Sequence, residues 1–116
     1  MENLMLSFEI LQSIAIMNPE GFTVSTKDFA PVKSGFAVAV ADTQNSFGSY
    51  GLAKVVSYIK KHPEINAVGG WYNKENKQYY FDATIIVDDL SAAVALGRAN
   101  NQIAIFNLDT LEEIRL

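Results

Sequence analysis

The sequence predicts a single α+β domain over residues 1–116, with a β-α-β-β-α-β core and a mainly antiparallel sheet. Three observations carry that prediction. The stretch VGGWYNKENKQYYFD at 68–82 alternates in the manner of an aromatic-rich hairpin. The run GFAVAVA at 35–41 is continuously apolar, as a strand buried on both faces is. Residues 47–62 and Leu90–Ala99 instead repeat their apolar positions at three- and four-residue steps, the spacing of helices.

Two elements precede this core, so that residues 1–20 form an N-terminal helix and turn and residues 21–116 the rest of the domain. Phe8, Leu11, Ile14 and Ala15 mark one face of a helix over Leu4–Met17, with Leu4 beginning the pattern. Pro19 and Gly21 then end it. Leu6, Ile10 and Ile16 widen the apolar surface beyond one face, which raises burial in a homodimer through Leu4–Met17. GFTVS at Gly21–Ser25 reads as a short strand.

The central strand follows, and a polar loop with Asn45 or Ser46 as N-cap leads into the helix over 47–62. Its inward stripe is Leu52, Val55, Val56 and Ile59. Lys60, Lys61 and His62 suit the negative end of the helix dipole, and Pro63 enforces the stop. In the hairpin, Asn73 opposite Gln78 puts Trp71 opposite Tyr80 and Gly69 opposite Asp82. One sheet face then carries Trp71, Tyr80, Asp82 and Thr84, and the other Tyr72, Tyr79, Phe81, Ala83, Ile85 and Val87. Asp88 or Asp89 caps the helix over Leu90–Ala99, whose inward positions are Leu90, Ala93, Val94 and Gly97. Asn100-Asn101 closes it. A last strand covers 102–108, and the tail LEEIRL supplies an edge strand. From residue 35 on, this is the split βαβ order of ferredoxin-like domains.

Composition narrows the function classes. With 49% hydrophobic and 19% charged residues the chain is globular rather than disordered. A net charge of −4 is a poor match to nucleic acid, whose affinity comes mainly from neutralised phosphates. The absence of cysteine removes disulfides and thiolate chemistry and fits a reducing cytoplasm. No apolar run approaches the roughly 20 residues that span a bilayer, and MENLMLSF lacks the basic start of a signal peptide. Cytoplasmic is the expectation, without a membrane.

Catalytic candidates are few, and no catalytic constellation, cofactor motif or metal-ligand set is visible. His62 is the only histidine and sits at a helix end, where a capping role suffices. Asp42 and Asp82 could together form a polar pocket for a small ligand or for acid–base work if the fold brings them together. The loop Gln44-Asn45-Ser46 enters a helix N-terminus, and Gly48 and Gly51 would let a ligand approach. It lacks, however, the GK[ST] ending of a phosphate-binding loop. The sharpest candidate is the face bearing Trp71, Tyr80 and Asp82, on which aromatics and a carboxylate could recognise a protein. If the N-terminal helix covered that face, Trp71 and Tyr80 would instead be core.

GFTVS, VGGWY, YYFD and NNQIAIF, in this order, resemble a group of small proteins and domains from bacteriophages, conjugative elements and gut Bacteroidetes-type genomes. In that group a GGW(Y/L) hairpin, a YFD strand and a final NQ-A-I-(F/Y)-(D/N)-L strand recur. The resemblance spans residues 21–116 and implies a mobile-element context, with a host or phage protein as partner. It carries over no functional residue, and Asn107 stands where the group often has Asp. The expected function is thus a non-enzymatic protein-binding module acting through Trp71, Tyr80 and Asp82 or through Gln44, Asn45 and Ser46. A small-ligand binder or enzyme at Asp42/Asp82 and a structural homodimer are the alternatives.

Overall fold

The computed structural model describes residues 4–116. Helix α1 (Leu4–Met17) and strand β1 (Gly21–Ser25) precede the core, as expected. The core comprises β2 (Phe36–Ala39), β3 (Ser46–Phe47), α2 (Gly48–Lys61), β4 (Ala67–Asn73), β5 (Gln78–Val87), α3 (Leu90–Ala99) and β6 (Ala104–Asn107), and β7 (Glu112–Arg115) ends the chain. The sheet runs β1-β4-β5-β2-β6-β7, every pair is antiparallel, and β3 pairs with β5 beyond the end of β2. In the order β4-β5-β2-β6, the long strand β5 lies between β4 and β2, which is the split βαβ arrangement. The tail does add an edge strand, with Ile114 opposite Ile105.

The three helices share one face of the sheet. Leu11 of α1 and Leu52, Val55 and Val56 of α2 bury themselves with Val24, Val68, Phe81 and Ala83. Ala93 of α3 joins Val38 and Ile105 in a second cluster. On α3 Ala93 and Gly97 are buried as expected, whereas Leu90, predicted inward, is exposed. Asp89 supplies the α3 cap, accepting from the Ala92 N–H at 2.8 Å. At the other end Asn101 takes the left-handed conformation (φ 57). The Asn18 side chain donates to the Ile14 carbonyl at the end of α1, and the Tyr79 hydroxyl donates to the Asn18 carbonyl at 2.7 Å. That bond pins α1 to the hairpin, and burial pushes the Tyr79 phenol up to about 12.

The segment expected as one strand over 35–41 is shorter, because the chain leaves the sheet after Ala39 and makes a turn of 3₁₀ helix at Ala41–Thr43. It rejoins as β3, where Ser46 faces Phe81. A side chain bridges the gap in the ladder: Thr43, fully buried, accepts the Ala83 N–H on its Oγ1 at 3.0 Å. Substituting Thr43→Val leaves that buried N–H without an acceptor. The expected loss is about 1–2 kcal/mol by urea denaturation, while Thr43→Ser retains most of the stability.

The other sheet face carries no helix among the described residues, and one connection covers part of it. After β1 the chain folds back along its outer edge, where the Val32 N–H donates to the Thr23 carbonyl. It then returns to Gly35, which lies against the outward-pointing Ile86 side chain. The connection thus crosses the helix-free face, and Ala67 (0% exposed) and Thr84 (4%) on this half are buried.

Candidate functional site

The hairpin register predicted from the sequence is the observed one: Asn73 opposite Gln78, Trp71 opposite Tyr80, Gly69 opposite Asp82. Strand alternation therefore sends Tyr79, Phe81 and Ala83 to the helices and Trp71, Tyr80 and Asp82 to the helix-free face. Helix α1 packs on the opposite side, so Trp71 remains 44% exposed. The Trp71 and Tyr80 rings stack with centroids 4.8 Å apart and planes 14° from parallel. Phe47, opposite Tyr80 on β3, extends the row at 5.5 Å and is itself exposed. Asn76 holds the Tyr80 ring by donating to its hydroxyl at 2.6 Å. Such a row of cross-strand aromatics is a rigid platform, since each ring limits its neighbour's rotamers. Sequence pattern alone misses Phe47, because it reads as the first residue of a helix rather than as part of a strand beside Tyr80.

Asp82 sits at the seam between this open aromatic half and the covered half that begins at Thr84. Its carboxyl group makes no hydrogen bond or ion pair among the described residues, and burial alone pushes it up to about 6 from an ordinary 3.8. The residue opposite, Gly69, has no side chain to crowd it. A Cβ there would stand 3.4 Å from the Thr84 Oγ1 and 3.9 Å from the Asp82 Oδ2. The result is a largely buried carboxyl group beside Gly69, next to Tyr80 along the same strand face and without a partner among the described residues.

The expected partnership of Asp42 with Asp82 does not form. Asp42 accepts a hydrogen bond from the Tyr58 hydroxyl at 3.1 Å, and Tyr58 belongs to α2 on the helical face, whereas Asp82 faces the other way. The Gln44–Asn45–Ser46 loop is only partly available. Gln44 and Asn45 are exposed beside β3, Asn45 in the left-handed conformation (φ 64). Ser46 is buried and donates to the Thr43 carbonyl at 2.6 Å, so it is neither a helix cap nor a surface contact. The N-cap of α2 is Phe47, without a side-chain hydrogen bond. The missing side chain of Gly51 makes room for the backbone of Ser46, and both residues line a cavity of about 400 Å³ with Asn45, Phe47 and Gly48. His62 ends α2, with its ring stacked on Tyr58 at 3.9 Å and Nδ1 3.2 Å from Glu64.

On the helical side, an apolar groove of about 520 Å³ lies between α1, the start of α2 and the hairpin, walled by Ala15, Ile16, Leu52, Tyr72 and Tyr79. Among the described residues, no group of three or more His, Asp or Glu could hold a metal ion, and no helix is long and apolar enough to cross a membrane. Fold and site thus define an α+β split βαβ domain with one helix-free, aromatic-lined sheet face. In comparisons with known proteins, no family model, curated protein or solved structure matches this chain.

Proposed function

We propose that this chain is a non-enzymatic protein-binding module that engages its partner through the helix-free face of the sheet. One observation carries the reading: exposed Trp71 stacks on half-buried Tyr80, and the pair, extended by exposed Phe47, sits on the half of the face that the β1–β2 connection leaves open. Tryptophan and tyrosine dominate binding energy where they sit pre-ordered at a contact centre, because little side-chain entropy remains to be lost. Gln44 and Asn45, next to β3, form the polar rim of this surface. A cytoplasmic mobile-element setting, with a host or phage protein as partner, belongs to the same proposal and rests on the sequence motifs.

The separation of Asp42 from Asp82 weighs against the polar-pocket alternative. Affinity capture from a native lysate tests the reading, with wild type and Trp71→Ala/Tyr80→Ala as baits, both verified as folded by circular dichroism. The wild type retains a partner that the double variant loses. A partner held equally by both baits moves the contact elsewhere.

A further inference from the structure

We infer that the Asp82 carboxylate receives an arginine side chain of the partner, its guanidinium forked onto the carboxylate beside the Phe47–Tyr80–Trp71 row. The inference rests on the binding-face reading above and names what that face recognises.

Four observations select this occupant. The Asp82 carboxyl is largely withdrawn from water and has no partner among the described residues, so an incoming cation meets an acceptor already stripped of much of its hydration. Residues two apart on one strand face are separated by roughly 7 Å, so a side chain held by Asp82 lies next to Tyr80, whose sides Trp71 and Phe47 occupy. Gly69 leaves the floor beside the carboxylate open. The net charge of −4 favours a basic partner at long range.

Arginine fits better than the other cations. Its guanidinium is flat and presents paired donors to a carboxylate, whereas the lysine ammonium is compact and more strongly hydrated. A metal ion would need several oxygen ligands, and the described residues bring no third acid to Asp82. Nucleobases would also stack on the rings, but their phosphates would approach a carboxylate in an acidic protein.

Among the described residues, the elements around Asp82 supply no competing cation. Its neighbours on this face are Tyr80, Thr84 and Gly69, and the charged residues of the β1–β2 connection, Lys27, Asp28 and Lys33, are exposed to solvent. Binding of a cation therefore opposes protonation, and affinity rises with pH until the carboxyl is fully ionised.

The test is an NMR titration of the isotope-labelled full chain with the blocked tripeptide acetyl-Gly-Arg-Gly-amide. The same peptide with citrulline, an uncharged near-isostere, and with lysine serve as comparisons. Expected are saturable shifts of the Trp71 indole N–H and of the Tyr80 and Asp82 amides, with an affinity of order 1 mM for the single side chain. Citrulline binds about tenfold or more weakly and lysine falls between, while Asp82→Asn, folded by its own spectrum, loses the preference for arginine over citrulline. Equal binding of arginine and citrulline, an unchanged preference in Asp82→Asn, or no shifts at saturating peptide overturns the inference. Failure here stays distinct from failure of the binding-face reading. A partner lost by Trp71→Ala/Tyr80→Ala but retained at full affinity by Asp82→Asn removes arginine recognition and leaves the face. A partner held by all three baits removes both.

Discussion

Alanine at Gly51 destabilises the protein by at least about 3 kcal/mol, although helix propensity alone favours alanine there by about 1 kcal/mol. The reason is the crossing of β3 over the first turn of α2. A Cβ on Gly51 would lie 2.2 Å from the Ser46 carbonyl carbon and 2.9 Å from its Cα, both backbone atoms that no rotamer change can move away. Relief requires β3 to lift from the helix, which pulls Ser46 from Phe81 and Phe47 from Tyr80. Gly48, three residues earlier, provides the contrast. It has a left-handed backbone (φ +67), but a Cβ added there would meet nothing within 4 Å, so Gly48→Ala loses only about 1–2 kcal/mol of backbone strain. Urea denaturation of the two variants side by side separates close packing from strain. A Gly51→Ala protein as stable as wild type means that β3 does not lie on α2.

Asparagine at Asp82 is expected to do the opposite and stabilise the protein at neutral pH. Burial raises this carboxyl from 3.8 to about 6, so the folded state holds its proton more tightly than the unfolded chain does. Between those two values the folded state carries more protons than the unfolded one, and stability therefore falls as pH rises through the window and levels off above about 6. A shift of about two units corresponds to at most about 3 kcal/mol, and partial hydration of the site brings the expected figure to about 1–2 kcal/mol. Asp82→Asn removes the charge and the penalty with it. The variant and wild type should be nearly equally stable around pH 4, and the variant should gain steadily up to about pH 6 to 7. Comparing the two proteins at each pH cancels the contributions of the other carboxylates. A side chain that lowers the stability of the free protein fits a binding role, because a partner's cation offsets the desolvation only in the complex.

The hairpin and its faces were legible in the sequence because both strands alternate without interruption and a four-residue connection left little freedom of register. Helix α3 was legible for a similar local reason: Asp89 and Asn100-Asn101 punctuate it at both ends. The middle of the chain was not. The break after Ala39 depends on the Thr43 hydroxyl replacing a strand's backbone acceptor at Ala83, forty positions away, and no local pattern announces it. That break turns Ser46 inward and brings Phe47 to the aromatic row, and Asn45, Ser46, Phe47 and Gly48 line a cavity of about 400 Å³ at the start of α2. The character of Asp82 was hidden for the same kind of reason. Its position on the face followed from alternation, but its desolvation depends on what the folded chain packs around it, which no local pattern announces.

Titration of the Asp82 carboxyl, followed by carbon-detected NMR in the free protein and with the arginine peptide at saturation, tests the central claim most directly. The expected midpoint in the free protein is about 6. Bound guanidinium should lower it by about one unit or more. A midpoint in the ordinary carboxylate range without peptide, or one that the peptide leaves unmoved, contradicts the account of this face as a desolvated acceptor for a partner's cation.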